Sequence, residues 1–165
     1  MKRVARLRRM AAATMAAFAV HLSAASACGY DTAMVDFTPA HPRSIEVALA
    51  VRDALDRKEL HALASIQPVL GFLRATRMVQ DFRPLVTSVA PEQSVTVAML
   101  LVESGLWTRY LLTPQGAVAE LHVAGSQPGE VVIVTSEAVL RALLDGTLEM
   151  GRAEKLGVLI VVRPA

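Results

Sequence analysis

Hydrophobic periodicity changes near residue 94 of this chain, and that change limits the folds open to it. Before it, apolar residues recur at three- and four-residue spacing; after it, they run together or alternate. These are the repeats of amphipathic helices and of strands. Val47, Leu49, Ala50, Ala54, Leu55, Leu60, Leu63 and Ala64 share one broad stripe, with Arg52, Asp53, Asp56, Arg57 and Glu59 opposite. The spacing predicts a helix of about 20 residues with Ser44 as its N-cap. Gln67-Pro68 breaks it. A second helix is predicted over 69–82, with Leu70, Leu73, Met78 and Phe82 turned inward and Arg83-Pro84 as its stop. The two helices would form a hairpin.

Strands follow. Residues 94–103 (SVTVAMLLVE) and 106–112 (LWTRYLL) flank a Ser104-Gly105 turn. After the turn at Thr113-Pro114-Gln115-Gly116, Ala117, Ala119, Leu121 and Val123 alternate with Val118, Glu120 and His122. Residues 125–129 form another turn, and 130–135 (EVVIVT) a fourth strand. Ser136 caps a short helix that Gly146 closes. Thr147 opens a second short helix, Gly157 closes it, and a strand from Val158 runs to Arg163-Pro164. The order predicts an α+β fold: an N-terminal helical hairpin packed on a mostly antiparallel sheet of about five strands, with two short helices before the last strand. The long connection before that strand leaves it free to pair in either direction.

The N-terminus reads as an address. Lys2, Arg3, Arg6, Arg8 and Arg9 precede an apolar run over 10–20, then Ala25-Ser26-Ala27 and Cys28. A cationic head, a short apolar run and a small-residue exit make a secretory signal peptide. The run is shorter than the roughly 20 residues a membrane-spanning helix needs. The expected organisation is a signal peptide over 1–27, an extended arm over 28–44 containing Gly29, Pro39 and Pro42, and a single domain over 45–165. Cleavage between Ala27 and Cys28 would place the protein in the periplasm or outside the cell. Five of the 17 Lys and Arg lie in the leader with none of the 15 acids, so the mature chain holds 12 bases against 15 acids, a net −3. With no basic block after Arg9, nucleic acid is not an expected partner. The single cysteine, Cys28, excludes an internal disulfide and a cysteine-rich zinc site. Cys28 has two readings. Lipidation would anchor the protein to a membrane as a lipoprotein. Ordinary cleavage at the same bond would release it in soluble form.

Residues 130–162 bring together Thr135, the pair Leu143-Leu144, Gly146-Thr147-Leu148, Ala153, Gly157 and Val158-Leu159-Ile160. In that order they resemble the core of the sterol-carrier-protein-like domain, and LWTRYLLTPQG and AVAELHVAG are similar to its hairpins. The resemblance covers about residues 94–163. It implies a helix-backed sheet around an apolar cavity and non-enzymatic binding of a lipid-like ligand, with Leu101, Leu143, Leu144, Val158 and Ile160 against that ligand. The chain as a whole is similar to small exported bacterial proteins with a Cys-Gly-Tyr start, here Cys28-Gly29-Tyr30, and a Leu-Trp-Thr-Arg segment, here 106–109. That likeness implies export and no activity.

Other chemistry is sparse. His41, His61 and His122 lack the spacing of a metal-binding box, and no phosphate loop, dinucleotide fingerprint or nucleophile elbow is present. No metal or cofactor is expected. Trp107 and Arg109, two apart on one strand, share a face. Flanked by Glu103, they suggest a protein interface with an aromatic anchor. The alternative function is therefore an envelope interaction or assembly factor. An enzyme is the third reading, and it requires Glu103, Glu120 and His122 to meet in one cleft.

Overall fold

The computed structural model describes residues 41–87 and 96–164. The leader, the cleavage site, Cys28 and nearly all of the arm lie outside them. Helices α1 (Ser44–Asp56), α2 (Pro68–Asp81) and α3 (Arg83–Val86) precede strands β1 (Thr96–Leu101), β2 (Leu106–Thr113), β3 (Gly116–Leu121) and β4 (Val131–Thr135). Helices α4 (Glu137–Leu144) and α5 (Met150–Lys155) then lead to β5 (Ile160–Val162). The fold is α+β, as the change of period requires.

The five strands form one mixed sheet in the order β3-β2-β1-β4-β5. Three ladders are antiparallel, and the parallel pair is β1–β4. The last strand pairs antiparallel with β4. Cross-strand partners share a face, so the register sorts the core. Val97, Met99, Leu101, Leu106, Thr108, Tyr110, Val131, Ile133 and Thr135 lie on one face. Ala98, Leu100, Trp107, Arg109, Val132 and Val134 lie on the other. β4 is buried along its whole length, which its unbroken run of β-branched residues suits.

Several local expectations change. α1 ends at Asp56 and not near Ala64. Lys58 takes a left-handed φ of 58°, and residues 61–67 are irregular. Ser44 is the first helical residue and caps nothing; Arg43 stands at the N-cap position. Arg83-Pro84 does not stop the chain's helical course: Phe82 ends α2 and begins α3, whose first turn accepts Pro84. Ser136 does cap α4, accepting the Val139 amide at 3.1 Å. Thr147 caps no helix, since Glu149 precedes α5; its hydroxyl donates to the Ala142 carbonyl at 3.2 Å. Gly146 closes α4 at φ +69°, a conformation that disfavours any side chain. α1 packs on β4, while α2 packs on α4 and β3.

Candidate functional site

Arg109 gathers the most polar contacts on the sheet. β3 and β4 both run parallel to β1, so the chain must return over one face between them. It returns over the face that carries Arg109, through residues 122–130. The Arg109 guanidinium donates to the Glu130 carboxylate at 2.5 Å and to the Gly125 carbonyl at 3.1 Å. The other Glu130 oxygen accepts the Gln127 amide at 2.6 Å. Glu120, opposite Arg109 in the register, lies 3.6 Å from a third guanidinium nitrogen. Opposite Arg109 on β1 is Ala98, whose small side chain leaves room for that reach. The Arg109 and Glu130 side chains are 16% and 5% exposed, so the pair is nearly dry. Hydrogen bonding to Glu130 holds the guanidinium even more firmly protonated. The cluster is a clamp on the crossover.

The expected Trp107–Arg109–Glu103 patch is only partly assembled. Trp107 and Arg109 do share a face. Trp107 is 4% exposed, packed inside the chain and not offered to a partner. Glu103 lies elsewhere: its carboxylate accepts the Glu137 amide at 3.0 Å, at the first turn of α4. That turn is further tied by Arg74 of α2, which reaches Glu137 at 3.2 Å. Loss of water around Glu103, and secondarily the Glu137 charge, raise its pKa above the usual carboxylate value. Hydrogen bonds from its own amide, and then from the α4 turn, oppose that rise.

The five residues expected against an apolar ligand do not share one wall. Leu101 sits opposite Thr135, and Ile160 opposite Val134. Neighbouring ladder positions point to opposite faces, so Leu101 and Ile160 are separated by the sheet itself. Leu101, Val158 and Leu143 are buried members of the main core cluster, with Leu144 and Ile160 packed at its margin. The Val158 carbonyl accepts the Thr135 hydroxyl.

Glu103, Glu120 and His122 also fail to meet. Glu103 serves α4, Glu120 serves Arg109, and His122 stacks on Phe72 of α2 with ring centroids 5.0 Å apart. His122 leaves the strand alternation because its φ is +60°. Among the described residues no set of three or more His, Cys, Asp or Glu side chains could hold a metal ion.

An exposed apolar surface is the feature that sequence reading placed on the wrong side. α2 buries Ala75, Met78 and Val79, with Phe82 at its end. Leu70 and Leu73, expected inward, are 51% and 56% exposed; Val69 beside them is 70% exposed and Ile66 41%. α2 is held firmly in this orientation. The buried Tyr110 hydroxyl donates to the Val79 carbonyl at 2.7 Å, and burial pushes its pKa well above the usual phenol value. Arg74 binds the Ala64 carbonyl at 2.9 Å and so fixes the segment that carries Ile66. A signal was present: Arg77 and Gln80 stand four and seven residues after Leu73, on the same helical face, and both are exposed.

No family model matches this chain, and no curated protein matches it. Two solved structures show partial likeness. The stereoselective inverting sec-alkylsulfatase Pisa1 from Pseudomonas sp. is 13% identical, covering 48% of this chain and 12% of its own, at a TM-score of 0.39. A double mutant of the sec-alkyl sulfatase PisA1 is 13% identical, covering 61% of this chain and 15% of its own, at a TM-score of 0.41. The chain therefore matches only a small part of either enzyme's length.

Proposed function

We propose that this is an exported, non-enzymatic docking protein of the bacterial envelope, acting through the outer face of α2. The observation that carries this reading is the cluster of Ile66, Val69, Leu70 and Leu73, each more than 40% exposed, on α2 and the segment that leads into it, with the helix anchored from behind. Four aliphatic side chains clustered on one face form a surface that association would bury. The basic, acid-free leader supports export. The five residues of the apolar-ligand reading stand on both sides of the sheet, and the Trp107 surface is internal, so neither supports docking as directly as α2 does.

A photo-crosslinking residue introduced in cells at position 70 or 73 tests the reading. Adducts at these positions and none at Glu154, exposed on α5, are the expected result. Equal labelling at all three, or none at any, would overturn it.

A further inference from the structure

We propose that the outer edge of β3 is a self-association surface, on which a second copy of this chain adds its own β3 in antiparallel pairing. The order β3-β2-β1-β4-β5 leaves β3 and β5 as the two ends of the sheet among the described residues. An end strand presents main-chain N–H and C=O groups that an added extended strand pairs in sequence. The two ends are not alike. β5 is three residues long and meets Pro164 two residues later, which limits further pairing. β3 is six residues long, holds no proline, and alternates exposed with half-buried residues. Its one charged residue, Glu120, lies 3.6 Å from Arg109. The charge that would guard this edge is therefore offset within the sheet.

The side chains select the partner. Leu111 of β2 and Val118 of β3 are ladder partners, 48% and 56% exposed, and make an apolar row that stops at the edge. Residues opposite each other in an antiparallel pair share a face, so a two-fold axis normal to the sheet must pass through a residue position of β3. An axis at Val118 sets Val118 against the same residue of the second copy. The row then runs Leu111, Val118, Val118, Leu111 across both copies. The same axis sets Glu120 against Gly116 and Ala117 against Ala119, with no like charges opposed. An axis at Glu120 would oppose two carboxylates. An axis at Ala119 would set Val118 against Glu120, and one at Ala117 would set it against Gly116. The edge is complementary to itself in one register. His122, at φ +60°, leaves the strand conformation just past Leu121, so the pairing segment is short. Two six-residue strands make a contact at the small end of protein interfaces, and the dimer is reversible.

The test is single-cysteine crosslinking in cells that make the full chain. Cys28→Ser is carried throughout, so the introduced thiol is the only one. Residues opposite each other in an antiparallel pair have Cα atoms about 4.5–5.5 Å apart, within the roughly 4.4–6.8 Å that a disulfide spans. Val118→Cys is therefore expected to give a disulfide-linked dimer on mild oxidation. Glu120→Cys lies four residues out of register with its own copy, about 13 Å along the strand, and is expected to stay monomeric. So is Glu154→Cys, exposed on α5. Light scattering of the chain purified from these cells should show a concentration-dependent dimer, and Val118→Lys should abolish it. Val118 is exposed, and unchanged thermal unfolding verifies that its variants fold. Equal crosslinking at 118, 120 and 154, or none at 118, would overturn the proposal. So would a chain that stays monomeric at every concentration. A dimer that survives Val118→Lys and is lost on Leu70→Asp with Leu73→Asp would also overturn it, since the second copy would then sit on α2.

Discussion

The two faces of the sheet are covered by different means. One carries Met99, Leu101, Tyr110 and Ile133, and α2 closes over it by apolar contact, assisted by one buried hydrogen bond from Tyr110 to Val79. The other carries Ala98, Leu100, Trp107 and Arg109, and the crossover 122–130 is tied to it at Arg109 by the clamp with Glu130. A helix satisfies most of its own backbone groups and can settle on an apolar surface. An irregular segment cannot, and needs polar partners to hold its path. On the second face, therefore, a nearly dry ion pair holds the irregular segment in place.

Removing one partner of the clamp is expected to have the largest effect. Arg109→Ala leaves the Glu130 carboxylate buried without its cation, a loss of about 3–5 kcal/mol measurable by urea unfolding. Replacing both partners sharpens the comparison: Arg109→Met with Glu130→Leu should recover much of that loss, because no charge is then stranded. If the double variant is as unstable as the single one, the crossover depends on the bonds to Gly125 and Gln127 more than on the ion pair.

On the helix-covered face, Tyr110→Phe should cost about 1–2 kcal/mol, since it removes one hydroxyl and leaves the Val79 carbonyl without that donor. A loss equal to that of Arg109→Ala would erase the contrast between the faces. The same denaturant titration reads both.

The smallest expected effect lies at the end of the parallel pair, where Glu103 meets the first turn of α4. Its folded pKa is raised, so between its unfolded and folded values the folded state binds the extra proton. Stability therefore falls as pH rises through that window, and the penalty is complete above the folded pKa. Glu103→Gln keeps an oxygen for the Glu137 amide and removes the charge. It should leave stability unchanged or slightly higher at pH 7, and should flatten the decline above about pH 4.5. A steeper decline in the variant would show that the charge itself stabilises α4.

Much of the architecture was legible because it is encoded within short windows. Alternation marked β3, the β-branched run marked β4, and Ser136 and Gly146 delimited α4 through bonds made within one turn. The site was less legible. α2 carries apolar residues around most of its circumference, so its period alone is ambiguous, and Arg77 and Gln80, on the same face as Leu73, are the mark of its outer side. Ala75, Met78, Val79 and Phe82 face inward because Tyr110, bonded to the Val79 carbonyl, and Glu137, bonded to Arg74, hold the helix in that rotation, and Leu70 and Leu73 turn outward as a result. Trp107 and Arg109 were correctly placed on one face. Glu103 was assigned to them by nearness in sequence, whereas α4, more than thirty residues later, holds it.

By itself, then, the sequence determined the order of helices and strands, several of their ends and the α+β class, since these depend on side-chain period and on hydrogen bonds between near neighbours. Only the tertiary structure decided the parallel pairing of β1 with β4, the Arg109–Glu130 clamp on the crossover that leads into β4, and the outward face of α2. Each of these depends on which surfaces, distant in sequence, exclude water from one another.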